Sequence, residues 1–130
     1  MANATATLSV YAYPKGVDNT QRNLVVRGTI TLSQGVYPPN AAGFALNWAA
    51  LEEVKSAPAV FPTDVDVKSV RNPPSGVVYA WDSTTGNLHI YVSNNGVSSN
   101  SGPLIEFNGT LPQWIFADTI QFTAVFARNN

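Results

Sequence analysis

Histidine is the commonest general base in proteins, and this sequence has a single one, His89. It lies in the run Leu88-His89-Ile90-Tyr91-Val92, where alternation puts Leu88, Ile90 and Val92 on the apolar side. His89 then falls on the solvent or second-layer face of a hairpin strand, where a structural imidazole is the plainer reading than a catalytic one. A serine nucleophile needs a base within hydrogen-bond reach and a strained elbow such as G-x-S-x-G, and no such elbow occurs. The absence of cysteine excludes thiol catalysis, thiolate metal sites and a disulfide framework together.

Paired carboxylates can hydrolyse glycosidic bonds, and Asp64, Asp66 and Glu106 are the nominees. Asp64 and Asp66 stand at i, i+2 on one strand face, a spacing that suits a solvated face beside buried valines better than an acid–base pair. The segment Asp82-Ser83-Thr84-Thr85-Gly86-Asn87 offers oxygens to calcium but only one carboxylate, so it reads as a hairpin turn. Zinc spacings, phosphate-cradling glycine loops and dinucleotide fingerprints are missing. The sequence therefore assigns no catalytic residue, no metal and no cofactor, and the expected function is non-enzymatic.

Aromatic residues offer binding chemistry. Trp48, Trp81 and Trp114, with Tyr37, Tyr79 and Tyr91, could stack on sugar rings, or they could fill the core. Trp114 stands apart, because Leu111-Pro112-Gln113-Trp114-Ile115-Phe116 is a proline-containing apolar loop without strand alternation. A cluster of that kind is either a core plug or a contact patch.

The elements that must position these groups alternate with period two along nearly the whole chain. From Thr5 to Tyr13, Leu8, Val10 and Ala12 face one way; from Leu24 to Ser33 the apolar set is Leu24, Val26, Ile30 and Leu32, with Gly28 as a candidate bulge. Extended structure is expected again around Phe44, Leu46 and Trp48, then either one helical turn or a continued strand over Ala49 to Lys55. Val65 and Val67 alternate with polar neighbours, and Asn72-Pro73-Pro74-Ser75-Gly76 makes a rigid turn. The clearest signal is a hairpin, Val77 to Trp81 and Leu88 to Val92 joined by the Asp82–Asn87 turn. Ser93 to Gly102 is a polar loop of low complexity, Pro103 to Phe107 a short strand, and Thr119 to Arg128 closes the chain with Ile120, Phe122, Ala124 and Phe126 inward. The prediction is an all-β, jelly-roll-like antiparallel β-sandwich of about seven or eight strands with at most one short helical turn.

With 130 residues, one core and a single domain over residues 1–130 are expected, residues 1–7 forming an extended N-terminal arm. Only 12% of the residues are charged, so serine, threonine, asparagine and glutamine must build much of the surface. The formal net charge is −1, and Arg22, Arg27, Arg71 and Arg128 are scattered singly, which leaves no footprint for nucleic acid or anionic membrane. The opening Met1-Ala2-Asn3 lacks the basic and apolar regions of a secretory signal, and no run is long enough to span a membrane. The sequons at Asn3 and Asn108 read as chance without a secretory route.

Several phrases carry a family likeness: Gly16-Val17-Asp18-Asn19-Thr20-Gln21-Arg22, Gly28 to Tyr37, Gly76-Val77-Val78-Tyr79-Ala80-Trp81-Asp82, Gly86-Asn87-Leu88-His89-Ile90-Tyr91 and Asp118 to Phe126. In order and spacing the chain resembles the small decoration, or cement, proteins of tailed bacteriophage capsids. The resemblance implies a homo-oligomer, dimer or trimer, on the outer surface of a virion, bridging neighbouring major capsid proteins without catalysis. Because interface hot spots are rich in tryptophan, tyrosine and arginine, Trp114, Tyr37, Arg22 and Arg71 are the candidate interface residues. The alternative is a carbohydrate-binding module or the receptor-binding tip of a phage tail protein.

Overall fold

The computed structural model describes residues 2–12, 16–19, 23–51, 61–69, 77–93 and 104–127. Eight strands run in the order β1 (Ala6–Val10), β2 (Val17–Asn19), β3 (Asn23–Leu32), β4 (Asp64–Ser69), β5 (Val77–Trp81), β6 (Leu88–Ser93), β7 (Leu104–Glu106) and β8 (Thr119–Ala127). They form two antiparallel sheets, so the chain is an all-β sandwich as its alternation predicts. The first has the order β1-β3-β8-β4, with β2 also pairing with β3; the second is the meander β5-β6-β7. Returning the last strand to lie between β3 and β4 is a Greek-key type of connection.

The inward positions are the apolar ones. Leu24, Val26, Ile30 and Leu32 of β3 and Ile120, Phe122, Ala124 and Phe126 of β8 are buried, as are Val65, Val77, Tyr79, Leu88 and Ile90. Trp48 plugs the layer between the sheets, edge-on to Phe122 and Phe126 at centroid distances of 5.3 and 5.6 Å. Each such side chain contributes about 1.5–3 kcal/mol by leaving water.

Four local features differ from the sequence expectation. Gly28 is no bulge of its own strand, since β3 keeps an unbroken register with β8 from Asn23↔Ala127 to Thr31↔Thr119. The irregularity is on the neighbouring edge, where Tyr11 N–H donates to the Arg27 carbonyl and Arg27 N–H to the Gly16 carbonyl, so two residues face one. At Gly28 itself a Cβ would lie 1.9 Å from the Ser9 carbonyl oxygen, which is why only glycine fits. Residues 2–5 are not a free arm either. Ala4 is buried, Asn3 bridges Val36, and Ala4 N–H reaches the Val36 carbonyl at 2.8 Å, because satisfying these backbone groups on the body of the fold outweighs leaving them in water.

The strand expected around Phe44 is reduced to one bridge, Phe44↔Leu88, before a 3-10 turn at Trp48–Ala50. The rest of the expected Ala49–Lys55 turn, Asn72–Gly76 and most of Ser93–Gly102 lie outside the described residues. The proline-containing segment is a single helical turn, α1 (Gln113–Phe116), which buries Ile115 and is capped at Ala117.

Candidate functional site

The outer face of the β5-β6-β7 sheet collects the polar chemistry. Strand alternation turns His89 of β6 and Glu106 of β7 to the same side, opposite the core-facing Ile90. His89 Nδ1 lies 2.7 Å from Glu106 Oε2, and the Tyr37 hydroxyl donates to the same oxygen at 2.5 Å. That hydroxyl also accepts the Ile90 N–H at 3.2 Å. Beside it, Phe107 N–H bonds the Ile90 carbonyl and Phe44 exchanges both backbone bonds with Leu88, so a side-chain hydroxyl fills one rung of a backbone ladder along β6.

His89 is sealed in place. Tyr91 stacks on its ring at 6.2 Å, and the chain crosses it at Gly43, where φ is 74° and a Cβ would fall 2.9 Å from the imidazole Cε1. Asn87 Nδ2 ties this crossing down by bonding the Ala42 carbonyl at 2.9 Å. The second ring nitrogen, Nε2, is buried without a hydrogen-bond partner, and Asp82 Oδ2 stands 3.7 Å away.

The electrostatics fix most proton positions. Burial, then the hydrogen bond to Glu106, pushes the Tyr37 phenol well above its ordinary value, so it stays a donor. With Tyr37 donating to Glu106 Oε2, the neutral imidazole satisfies the carboxylate best by donating from Nδ1, which leaves the lone pair on Nε2. Asp82, 3.7 Å from Nε2 and beyond hydrogen-bond distance, has its carboxyl held below its ordinary value chiefly by the Thr84 N–H. Burial and then the nearby Glu106 and Asp82 charges raise the Tyr91 phenol. A histidine–carboxylate pair is half of a general-base arrangement, but the nitrogen that would meet a substrate is enclosed.

A second polar knot ties the two sheets together. Buried Asp118 accepts from Ser69 Oγ of β4 and Tyr79 hydroxyl of β5, each at 2.9 Å, and from Thr119 N–H at 2.9 Å. Every partner donates, so the carboxylate is satisfied where it is buried.

Trp114 is on α1 and 50% exposed, whereas Tyr37 is 1% exposed and its hydroxyl is spent on Glu106 and Ile90, so Tyr37 is corrected from interface residue to core residue. Arg22 and Arg71 lie outside the described residues. Of the tryptophans proposed as sugar platforms, Trp48 is buried and Trp81 is half-buried with its Nε1 bonded to the Gly86 carbonyl. Asp64 and Asp66 are exposed on β4, in the sheet that does not contain Glu106, and form no pair with it. Asp82–Asn87 is the expected hairpin turn, closed by Asp82 N–H on the Asn87 carbonyl at 2.9 Å; no group of metal-binding side chains occurs among the described residues. The pairing of His89 with Glu106 was missed, although both fall on outward positions of adjacent strands. The role of Tyr37 left no local signal, because its partners are remote in sequence. Comparison with known proteins finds no matching family model, curated protein or solved structure.

Proposed function

We propose that this chain is a non-enzymatic structural protein of a tailed bacteriophage that binds the outside of the capsid and strengthens contacts between major capsid proteins. The observation that carries the reading is large apolar side chains left in water on a surface poor in charge. Phe61, Trp114, Val78 and Leu104 are 51, 50, 44 and 43% exposed, in a chain with 12% charged residues. Such groups lose water when a partner covers them, and a low density of lysine and glutamate reduces the desolvation and side-chain ordering that oppose association. The likeness of the strand-and-turn phrases to capsid decoration proteins supports the same reading.

On this reading the protein acts as a homo-oligomer on the virion surface, and many modest contacts on one lattice add up to firm attachment. Trp114 is the leading contact residue, because its indole is exposed while its helical turn is anchored by buried Ile115. The test mixes the purified protein with expanded, undecorated capsids of the phage that encodes it. Stoichiometric binding with a raised capsid melting temperature is expected, and Trp114→Ala weakens binding without altering the circular dichroism of the free protein. Absence of binding by the native protein overturns the reading.

A further inference from the structure

Next to the sealed histidine, the molecule has a hollow that nothing in the capsid reading uses. Pro38, Asn40, Ala41, Glu106, Phe107 and Asn108 line a half-open hollow of about 400 Å³ near the chain crossing over His89 and the end of β7. Both hydrogen bonds that hold Glu106, from Tyr37 and from His89, end on Oε2. That fixes the carboxylate through one oxygen, and neither bond uses Oε1. The rim is shaped by two consecutive non-glycine residues in the left-handed region, Asn40 at φ 63° and Ala41 at φ 55°. Such backbone costs about 1–3 kcal/mol per residue and is concentrated where a site needs a particular shape.

We infer that this hollow is a binding subsite for a neutral sugar ring, with Glu106, Asn40 and Asn108 meeting hydroxyls and Phe107 and Pro38 meeting the apolar face. The chemistry of the lining selects the class. Among the described residues that line it none is cationic and one is a carboxylate, so they offer an anion no partner. One carboxylate, with an oxygen already shared by two donors, is too few ligands for a divalent cation. Two amides and one carboxylate oxygen provide both donors and acceptors, which suits hydroxyls that donate and accept at once. The aromatic and proline walls suit the C–H face of a pyranose. The volume is at the small end of ligand pockets and fits a terminal residue of a glycan rather than a long chain. This assignment is independent of the tryptophans and of capsid binding.

Saturation-transfer NMR of the full chain with neutral hexoses, N-acetylhexosamines and their disaccharides tests it. Transfer to at least one sugar is expected, undiminished by a metal chelator and weaker for the corresponding uronic acid. Asn108→Ala removes an exposed amide at the hollow, and Asn40→Gly removes the other while keeping left-handed backbone. Each should weaken binding about tenfold, the loss of roughly one hydrogen bond to a ligand, with the rest of the amide spectrum unchanged. Three outcomes overturn the inference: no transfer to any neutral sugar, native affinity in both variants, or binding abolished by Trp114→Ala instead. Because the capsid test does not use these variants, failure here leaves that reading standing, and failure there leaves this one.

Discussion

The Tyr37 hydroxyl serves a buried backbone donor and a part-buried carboxylate at once. It accepts the Ile90 N–H at 3.2 Å and donates to Glu106 at 2.5 Å, so its removal orphans a backbone donor and loosens a carboxylate. Tyr37→Phe keeps the ring, and with it the edge-on packing on Phe44 at 5.3 Å and Phe107 at 5.9 Å. The cost is then polar rather than steric, about 1–3 kcal/mol for the unsatisfied Ile90 N–H and a little more for Glu106. Urea unfolding of the variant should show a lower midpoint with an unchanged m-value, and a stability equal to the native protein would mean that the hydroxyl is no rung of the ladder. Gly43→Ala probes the same site from above. At φ 74° the new methyl strains the backbone and meets the Leu88 carbonyl oxygen at 2.7 Å as well as the imidazole. It should cost about 1–3 kcal/mol and shift the His89 ring resonances, whereas a fold that absorbs the methyl without either change would put the crossing chain farther from the ring.

At the scale of the element, the strands were legible and their exceptions were not. Leu24, Val26, Ile30 and Leu32 announce β3, and Ile120 to Phe126 announce β8, because one buried face imposes period two on the sequence. Phe44 and Trp48 carry the same alternation but form only a bridge and a 3-10 turn, since their burial comes from the gap between sheets rather than from a ladder. The helical turn at Gln113–Phe116 was hidden because four residues are too few for a helical period to show, and Pro112 reads as a loop residue until it is seen to open the turn. Gly28 was legible as an exception but not as to its cause, which lies in β1 and not in its own strand. The cause is testable: Gly28→Ala drives a methyl into the Ser9 carbonyl, a backbone atom that yields only if β1 withdraws. Loss of about 3 kcal/mol or more is expected, with faster amide exchange in Ala6–Val10 than in β8. Exchange that accelerates equally in both strands would contradict a local separation of β1.

For the whole molecule, two buried tyrosines couple its layers to the solution. Tyr79 joins β5 to Asp118 at the start of β8, and Tyr37 joins the second sheet to the chain that covers it. Both phenols are raised above the ordinary value, by burial first and then by the carboxylate each one bonds. A group whose value is higher in the folded state holds its proton more tightly there. Its contribution to stability is complete below the unfolded value, near pH 10, and is lost as pH rises from there through the folded value. Stability should therefore show no loss from these groups up to about pH 10, then fall by about 1.4 kcal/mol per pH unit for each tyrosine, or about 3 kcal/mol per unit for the pair. Tyr37→Phe and Tyr79→Phe should each halve that slope while starting from lower stability at neutral pH. Of the five tyrosines, these two should gain phenolate absorbance only as the circular dichroism of the sheets is lost. Ionisation of all five near pH 10 with the fold intact would show that neither phenol is held as the hydrogen bonds require. A cooperative alkaline transition carrying both would show that the two polar knots fail as a single unit.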